Sequence, residues 1–337
     1  AQGAHVEEAG RPAARVAGNQ APTAGRREMT ETKPFRSGIV ALLGKPNAGK
    51  STLLNAITGA KLSAVSALPQ TTRERTAGVH TSDDCQIVFA DLPGLITPGD
   101  RLNETLRDNV LEGIAQVDAV LHLIDVADDK PLPDEIVEAL ARVTAPVILA
   151  VNKIDGKRAQ VDAGSWAGER IPAAQRKLYR AIVGISAQTK KNLPELLAQI
   201  TRLLPEGPHL YDPDVLTDKD LRFLAQEMIR EKLFLHLHEE LPYATAVLVD
   251  EFKEREGAKW YVAATIYVER ESQKGMVIGK GAEMLKKISQ SARADIERLC
   301  DAPVFLELRV KVRENWRKKE HDLRFFGYQG RSRKRRK

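Results

Sequence analysis

Eight consecutive residues, Gly44-Lys45-Pro46-Asn47-Ala48-Gly49-Lys50-Ser51, follow the apolar run GIVALL and fit the spacing G-x-x-x-x-G-K-[ST]. Glycines at that spacing let backbone N–H groups turn inward and come close to phosphate oxygens. A lysine in the position of Lys50 bridges the outer phosphates, and a hydroxyl in the position of Ser51 can sit on Mg²⁺. The next residues, TLLNAITG from Thr52, read as a helix whose N-terminus faces the anion. The chemistry expected here is nucleoside triphosphate binding, with Lys50 also acting on the reacting phosphate.

Three further motifs close apolar runs downstream. Asp91-Leu92-Pro93-Gly94 ends CQIVFA. An aspartate there can hold Mg²⁺ through water, and the Gly94 N–H can meet the γ-phosphate. Asn152-Lys153-Ile154-Asp155 ends the next but one apolar run. The Asp155 carboxylate can accept two hydrogen bonds from guanine that adenine cannot offer, and acceptors left unpaired discriminate strongly. Ser186-Ala187-Gln188 ends a further run, where backbone groups can read guanine O6. Each motif is modest alone. Four in order, all at strand ends, mark the crevice in which open α/β sheets bind ligands.

The elements that must position these residues are legible as alternation. GIVALLG (38–44), CQIVFAD (85–91), AVLHLIDV (119–126), APVILAVNK (145–153) and RAIVGIS (180–186) are near-continuous apolar runs, as strands buried on both faces are. Helix-like stretches at 49–59, 101–116, 132–143 and 193–204 lie between them. The pattern predicts an α/β domain over 36–205 with a mostly parallel sheet. Three prolines within 204–214 suggest a linker over 206–216. Beyond it the order becomes α-β-β-α-β over 217–328, with Thr217 as an expected helix N-cap and MVIGKGA leading into the second helix. That is a small α+β domain.

Composition narrows the classes. Of 337 residues, 42% are hydrophobic and 29% charged, which supports buried cores. No run approaches the ~18 apolar residues of a membrane-spanning helix. Cys85 and Cys300 cannot form a disulfide framework or a four-cysteine metal site, and read as buried free thiols in a reducing compartment. Residues 1–33 lack apolar periodicity and any signal-peptide core, so 1–35 is expected to be a disordered extension, with Met29 as a candidate natural start. The net charge of +6 is uneven: +1 over 1–208, −6 over 209–256 and +11 over 257–337. Six of the last seven residues are basic, so 329–337 reads as a basic tail and the C-terminal end as a polyanion binder.

With all five nucleotide motifs present, the chain resembles the translation-factor-related GTPases. Pro69-Gln70-Thr71-Thr72-Arg73 resembles their first switch region, which implies that Thr72, or failing it Thr71, completes the Mg²⁺ shell. Leu95, directly after D-x-x-G, replaces the glutamine with which Ras-like GTPases orient water. In the Era-like branch a hydrophobic residue is usual there, and an asparagine like Asn47 is associated with a potassium ion at the phosphates. From about Gly38 to Tyr328, including QTTRER, LPYATAVLVDEF and YVERESQKGMVIGKG, the chain is similar to the Era family, in which a type II KH domain follows the GTPase domain.

That resemblance implies an RNA-clamping G-x-x-G loop at Gly279-Lys280-Gly281-Ala282, with Lys280 and Lys286 toward phosphate and Ile278, Met276 and Leu285 lining an apolar groove. Ala282 departs from the motif's glycine, and helical backbone is expected there. The resemblance further implies GTP and GDP as ligands, Mg²⁺ as cofactor with K⁺ beside it, and binding of 16S rRNA near its 3′ end. It also implies a role in 30S subunit maturation, a monomer, and a cytoplasmic location with peripheral membrane association. Two other classes share parts of the pattern: a nucleotide-gated RNA-binding scaffold with little turnover, and a P-loop ATPase or kinase in which N-K-I-D is coincidental.

Overall fold

Strands that are apolar at nearly every position need cover on both faces, and the first half of the chain supplies it. The computed structural model describes residues 34–66, 68, 72–94, 100–156 and 162–328. The 1–33 extension, Thr71, Leu95 and the basic tail lie outside them.

The first sheet contains β1 (Arg36–Leu43), β2 (Thr76–Thr81), β3 (Cys85–Asp91), β4 (Ala119–Asp125), β5 (Val147–Asn152) and β6 (Tyr179–Gly184) in the order β2-β3-β1-β4-β5-β6. All neighbours are parallel except β2, which pairs antiparallel with β3 at the edge. Five of these strands match the expected runs. β2 is an addition: TAGVHT has a weak apolar signal and forms a hairpin with β3.

Around the sheet lie α1 (Lys50–Thr58), α2 (Arg101–Ile114), α3 (Asp134–Arg142), α4 (Ala163–Arg170), α5 (Ala173–Arg176) and α6 (Leu193–Leu203). Alternate residues of β1 face opposite layers. Val40 and Leu42 pack with α1 and α6 through Leu53, Leu54, Leu196 and Ile200. Ala41 and Leu43 face the layer of Val110, Ile136, Leu140 and Trp166 from α2, α3 and α4. This three-layer arrangement puts the C-terminal ends of β1, β3, β5 and β6 along one rim.

The 206–216 stretch lies along the sheet's edge. Gly207 N donates to Phe35 O at 3.1 Å and Val79 N to Leu216 O at 2.8 Å, so the segment covers β2. Thr217 belongs to this cover: its hydroxyl donates to Ala77 O at 2.7 Å instead of capping a helix. α7 (Leu221–His236) is capped by Asp220, whose carboxylate accepts from Phe223 N.

The second sheet has the order β7 (Ala246–Lys253), β8 (Trp260–Val268) and β9 (Val304–Val312), with β7 antiparallel and β9 parallel to β8. α7, α8 (Glu271–Ile278) and α9 (Glu283–Cys300) bury Ile229, Leu233, Val277, Ile288 and Ile296 against one face. The order is therefore α-β-β-α-α-β, one helix more than expected. α8 spans ESQKGMVI, where Gly275 and alternating polar residues blur the helical period; its start is held by the Gln273 side chain, whose Oε1 accepts from Glu269 N at 2.9 Å and Arg270 N at 3.0 Å. After β9 the chain ends its described part with α10 (Glu320–Phe325). Of the cysteines, Cys85 is buried as expected, whereas Cys300 is half-buried, its thiol pushed up to about 12 by burial.

Candidate nucleotide site and nucleic-acid surface

The phosphate-binding loop links β1 to α1 and lines a cleft of about 440 Å³ through Pro46, Asn47, Gly49, Lys50, Ser51 and Thr52. Gly49 has φ +100°, and a Cβ there would lie 2.2 Å from Asn152 Nδ2, so no other residue fits without displacing that side chain. Asn152 holds the loop from below. Its amide donates to Ala48 O at 2.8 Å and accepts from Ala187 N at 3.0 Å, tying the phosphate loop to the Ser186-Ala187 turn. Both ends of the amide are engaged within the protein, so Asn152 positions the two loops. Lys45 turns away from the cleft and pairs with Asp128 at 2.7 Å.

Lys50 is 6% exposed, and its ammonium donates to Gly44 O at 3.1 Å and Lys45 O at 3.2 Å. Burial pulls its pKa down to about 8, with Asp91 acting in the opposite sense. An arriving phosphate would favour the charged form and raise that pKa. Asp91 is fully buried at the end of β3, and burial raises its carboxyl above the ordinary range against the opposing effects of Lys50, Ser51 and Thr72.

Three oxygens gather beside it. Ser51 Oγ donates to Asp91 Oδ2 at 2.8 Å and lies 2.9 Å from Thr72 Oγ1, which is 3.4 Å from the same Oδ2. Asp91 Oδ1 is buried without a hydrogen-bond partner. An all-oxygen set with one orphaned carboxylate oxygen suits a hard divalent cation that keeps part of its water shell. Gly94 faces the loop from the other side: a Cβ there would lie 2.9 Å from Pro46.

At the base end, Lys153 has φ +67° and its ammonium pairs with Asp125 Oδ2 at 2.8 Å. Asp155 is exposed, and with Gly156, Gln188, Asp125 and Lys153 lines a second cleft of about 410 Å³. Ser186 is fully buried, its hydroxyl accepting from Thr189 N at 3.1 Å, which fixes the turn that presents Ala187 and Gln188. Asp125 is a member of the site that motif spacing does not flag. The available signal is its place as an acid closing the apolar run LHLID, as Asp91 closes CQIVFAD.

The G-x-x-G tetrad forms the sharp connection between α8 and α9. Gly279 (φ 74°), Gly281 (φ 59°) and Ala282 (φ 63°) all have positive φ. The helical backbone expected at Ala282 is not adopted; alanine sits in the left-handed region, where the chain passes from α8 into α9 within four residues. Lys280 and Lys286 are exposed, Ile278 and Leu285 half-buried, and Met276 is 61% exposed. Ile288 is core, as expected. His236 bonds Ser291 at 2.9 Å, and among the described residues no His, Cys, Asp or Glu cluster could hold a metal ion.

A strand–loop–helix phosphate cradle with oxygens converging beside a buried lysine, followed by a helix-backed three-stranded sheet with a G-x-x-G turn, defines a P-loop GTPase domain joined to a KH domain. Comparison with known families agrees. Residues 39–153 match the family described as 50S ribosome-binding GTPase, and residues 240–317 match the KH domain. The chain is 48% identical over 299 residues to GTPase Era of Geobacter metallireducens, covering 88% of this chain and 98% of that protein. It is 47% identical over 307 residues to GTPase Era of Geotalea uraniireducens, covering 89% and 100%. Two solved structures, a point variant of Aquifex aeolicus Era bound to GDP·AlF4⁻ and Era in complex with MgGDPNP and nucleotides 1506–1542 of 16S ribosomal RNA, each superpose with TM-score 0.80 at 35% identity. Each covers 88% of this chain and 100% of its own. The chain belongs to the Era family of GTPases.

Proposed function

We propose that this GTPase couples GTP binding and hydrolysis in the cleft to binding of single-stranded RNA from the 3′ end of 16S rRNA on the KH domain, in maturation of the 30S subunit. The observation that carries the reading is the convergence of Ser51, Thr72 and Asp91 oxygens beside the buried Lys50. Lys50, the phosphate-loop amides from Gly44 to Thr52 and the Gly94 amide hold the phosphates. Ser51, Thr72 and Asp91 hold Mg²⁺, which when bound supplies positive charge where it develops on the leaving phosphates. Asp155 reads guanine from the exposed rim, with Ala187 beside it and Asn152 and Lys153 keeping the base loop in place. Hydrolysis would release Thr72 and Gly94 from the phosphate.

Asn47 lines the cleft with Ala64, Val65 and Ser66. An asparagine amide oxygen on this wall is a suitable ligand for a monovalent cation such as K⁺. Lys280, Lys286 and the Gly279–Ala282 turn would meet RNA backbone, with Ile278 in the adjoining apolar groove. Residues 36–205 and 217–328 are the two functional domains. The protein acts as a monomer in the cytoplasm, with peripheral membrane contact. The matching GTPase family's description names the 50S subunit. The solved Era complex carries 16S rRNA and matches over both domains, which favours the small subunit.

The test is single-turnover GTP cleavage with and without a single-stranded 16S 3′-end fragment, with ATP as competitor. Cleavage that the fragment accelerates and ATP does not inhibit is expected. ATP preference would overturn the guanine assignment. Negligible turnover in both arms would make the protein a nucleotide-gated scaffold. Equal rates in KCl and NaCl would remove K⁺ from the site.

A further inference from the structure

Arg73 follows Thr72 directly, and the two side chains point into different domains. Thr72 meets Ser51 and Asp91 in the nucleotide cleft. Arg73 is 2% exposed and enters the KH domain, donating to Thr245 O at 2.7 Å and Tyr243 O at 3.0 Å. Its guanidinium lies 5.6 Å from the ring centroids of both Trp316 and Tyr328. Carbonyl oxygens and aromatic faces, rather than a carboxylate, meet the charge. A planar fork is the group that can satisfy both at once.

The same loop is held a second time at its start. Val65 N donates to Glu231 Oε2 at 3.0 Å. Lys61 pairs with Glu231 at 2.6 Å and Asp295 at 2.7 Å, and both carboxylates are buried in the KH domain. The aromatic cup around Arg73 also packs against α2. Leu102 and Leu106 of α2, the helix after D-x-x-G, pack with Trp316, Phe326 and Tyr328 in one cluster.

We infer that Arg73 is a positioning residue through which the KH domain fixes the place of Thr72 at the phosphate site. The inference rests on the assignment of Thr72 to the Mg²⁺ shell proposed above. Adjacent Cα atoms are only ~3.8 Å apart, so a displacement of the cup must either carry Thr72 with it or strip the guanidinium from its carbonyls. Stripping it costs a buried charge the carbonyls it is bonded to, which makes the second route unfavourable. The KH domain thus acts on hydrolysis without touching nucleotide. By reciprocity, a cleft that holds Thr72 firmly stabilises the KH domain in the docked position.

The test compares the full-length protein with Thr72→Ala, Arg73→Lys, Arg73→Ala and Trp316→Leu, reading GDP affinity, single-turnover GTP cleavage and its Mg²⁺ midpoint. Arg73→Lys keeps the charge but loses the fork, and Trp316→Phe is a milder partner variant should Trp316→Leu unfold. The Arg73 and Trp316 variants are expected to bind GDP within about twofold of wild type. A misplacement of about 1 Å is enough to slow a positioned reaction by as much as a hundredfold. Both Arg73 variants and Trp316→Leu should therefore slow cleavage at least about tenfold and raise the Mg²⁺ midpoint, as Thr72→Ala does. Normal cleavage and an unmoved midpoint in the Arg73 and Trp316 variants, with Thr72→Ala impaired, would overturn the inference alone. An unimpaired Thr72→Ala would remove the Mg²⁺ assignment and the inference with it.

Discussion

The two ends of this molecule proposed to bind anions are built on opposite principles. In the cleft the cation is withdrawn from water: Lys50 is 6% exposed, its pKa is pulled down to about 8, and its neighbours are locked by Asn152. At the G-x-x-G turn Lys280 and Lys286 stand in solvent, and Met276 is 61% exposed beside them. A desolvated charge aimed by a rigid loop gives strong, short-range and geometrically selective binding. Solvated lysines give affinity that depends on counterion release and therefore on salt. The comparison teaches that overall basicity, +11 after residue 256, says little about the nucleotide site. On the proposed reading, that site would draw its affinity from backbone amides and one buried ammonium.

The sharpest way to break the contrast is at Lys50. Lys50→Ala should weaken GTP binding by more than about a hundredfold, near 3 kcal/mol, because charge-assisted hydrogen bonds in a dry site are lost. Fluorescent-nucleotide titration measures it, and a loss below tenfold would mean that the loop amides dominate. Asn152→Ala comes next. It strands Ala48 O and Ala187 N, each costing about 1–3 kcal/mol if unsatisfied. A drop of at least about 2 kcal/mol in unfolding free energy should accompany weakened binding of GTP and GDP alike. Binding lost with stability intact would show that Asn152 contacts nucleotide directly.

The depressed Lys50 pKa also sets a pH signature. Phosphate favours the ammonium, so above pH 8 binding takes up a proton and affinity should fall by up to about tenfold per pH unit. In the free protein the sign is reversed. The unfolded chain keeps this proton toward its ordinary 10.5, so the group adds stability as pH rises from about 8. Calorimetry in buffers of different ionisation enthalpy would detect the uptake, and a pH-independent affinity from 8 to 9.5 would contradict it. At the exposed end, Lys280→Ala should weaken RNA only a few-fold, about 0.5–1 kcal/mol, and lower the slope of log affinity against log salt by about 1. An unchanged slope would place Lys280 away from phosphate.

The same contrast explains what could be read from the chain alone. Five strands and the four motifs were legible because buried parallel strands are apolar throughout and their C-terminal ends carry the polar residues. β2 was hidden because TAGVHT carries only two apolar side chains, Ala77 and Val79, and ends in the half-buried polar His80 and Thr81. α8 was hidden because a helix whose one fully buried side chain is Val277 has almost no apolar stripe. The Asn152 motif was visible, but not its action as a staple, since its partners Ala48 and Ala187 contribute only backbone. Arg73 lay within the recognised Pro69–Arg73 stretch, but its role did not show there: its partners are two carbonyls and two rings about 170 to 255 residues away along the chain. Contacts made by backbone atoms over such separations leave no local trace in residue type.

Ala282 gives the smallest effect and the finest test of how each end was built. In the phosphate loop the positive-φ positions fall to residues that suit them, Gly44, Asn47 and Gly49. At the RNA end an alanine occupies φ 63°, ψ 22° as the N-terminal flank of α9, with no side-chain cap. Left-handed backbone costs a non-glycine residue about 1–2 kcal/mol. Glycine removes that strain while adding freedom to the unfolded chain worth about 0.4–1 kcal/mol. Ala282→Gly should therefore raise stability by about 0.5–1 kcal/mol, read by denaturant unfolding of the full chain. If glycine is instead neutral or destabilising, the neighbouring Gly281 and Gly279 already absorb the reversal, and Ala282 takes up its conformation without cost.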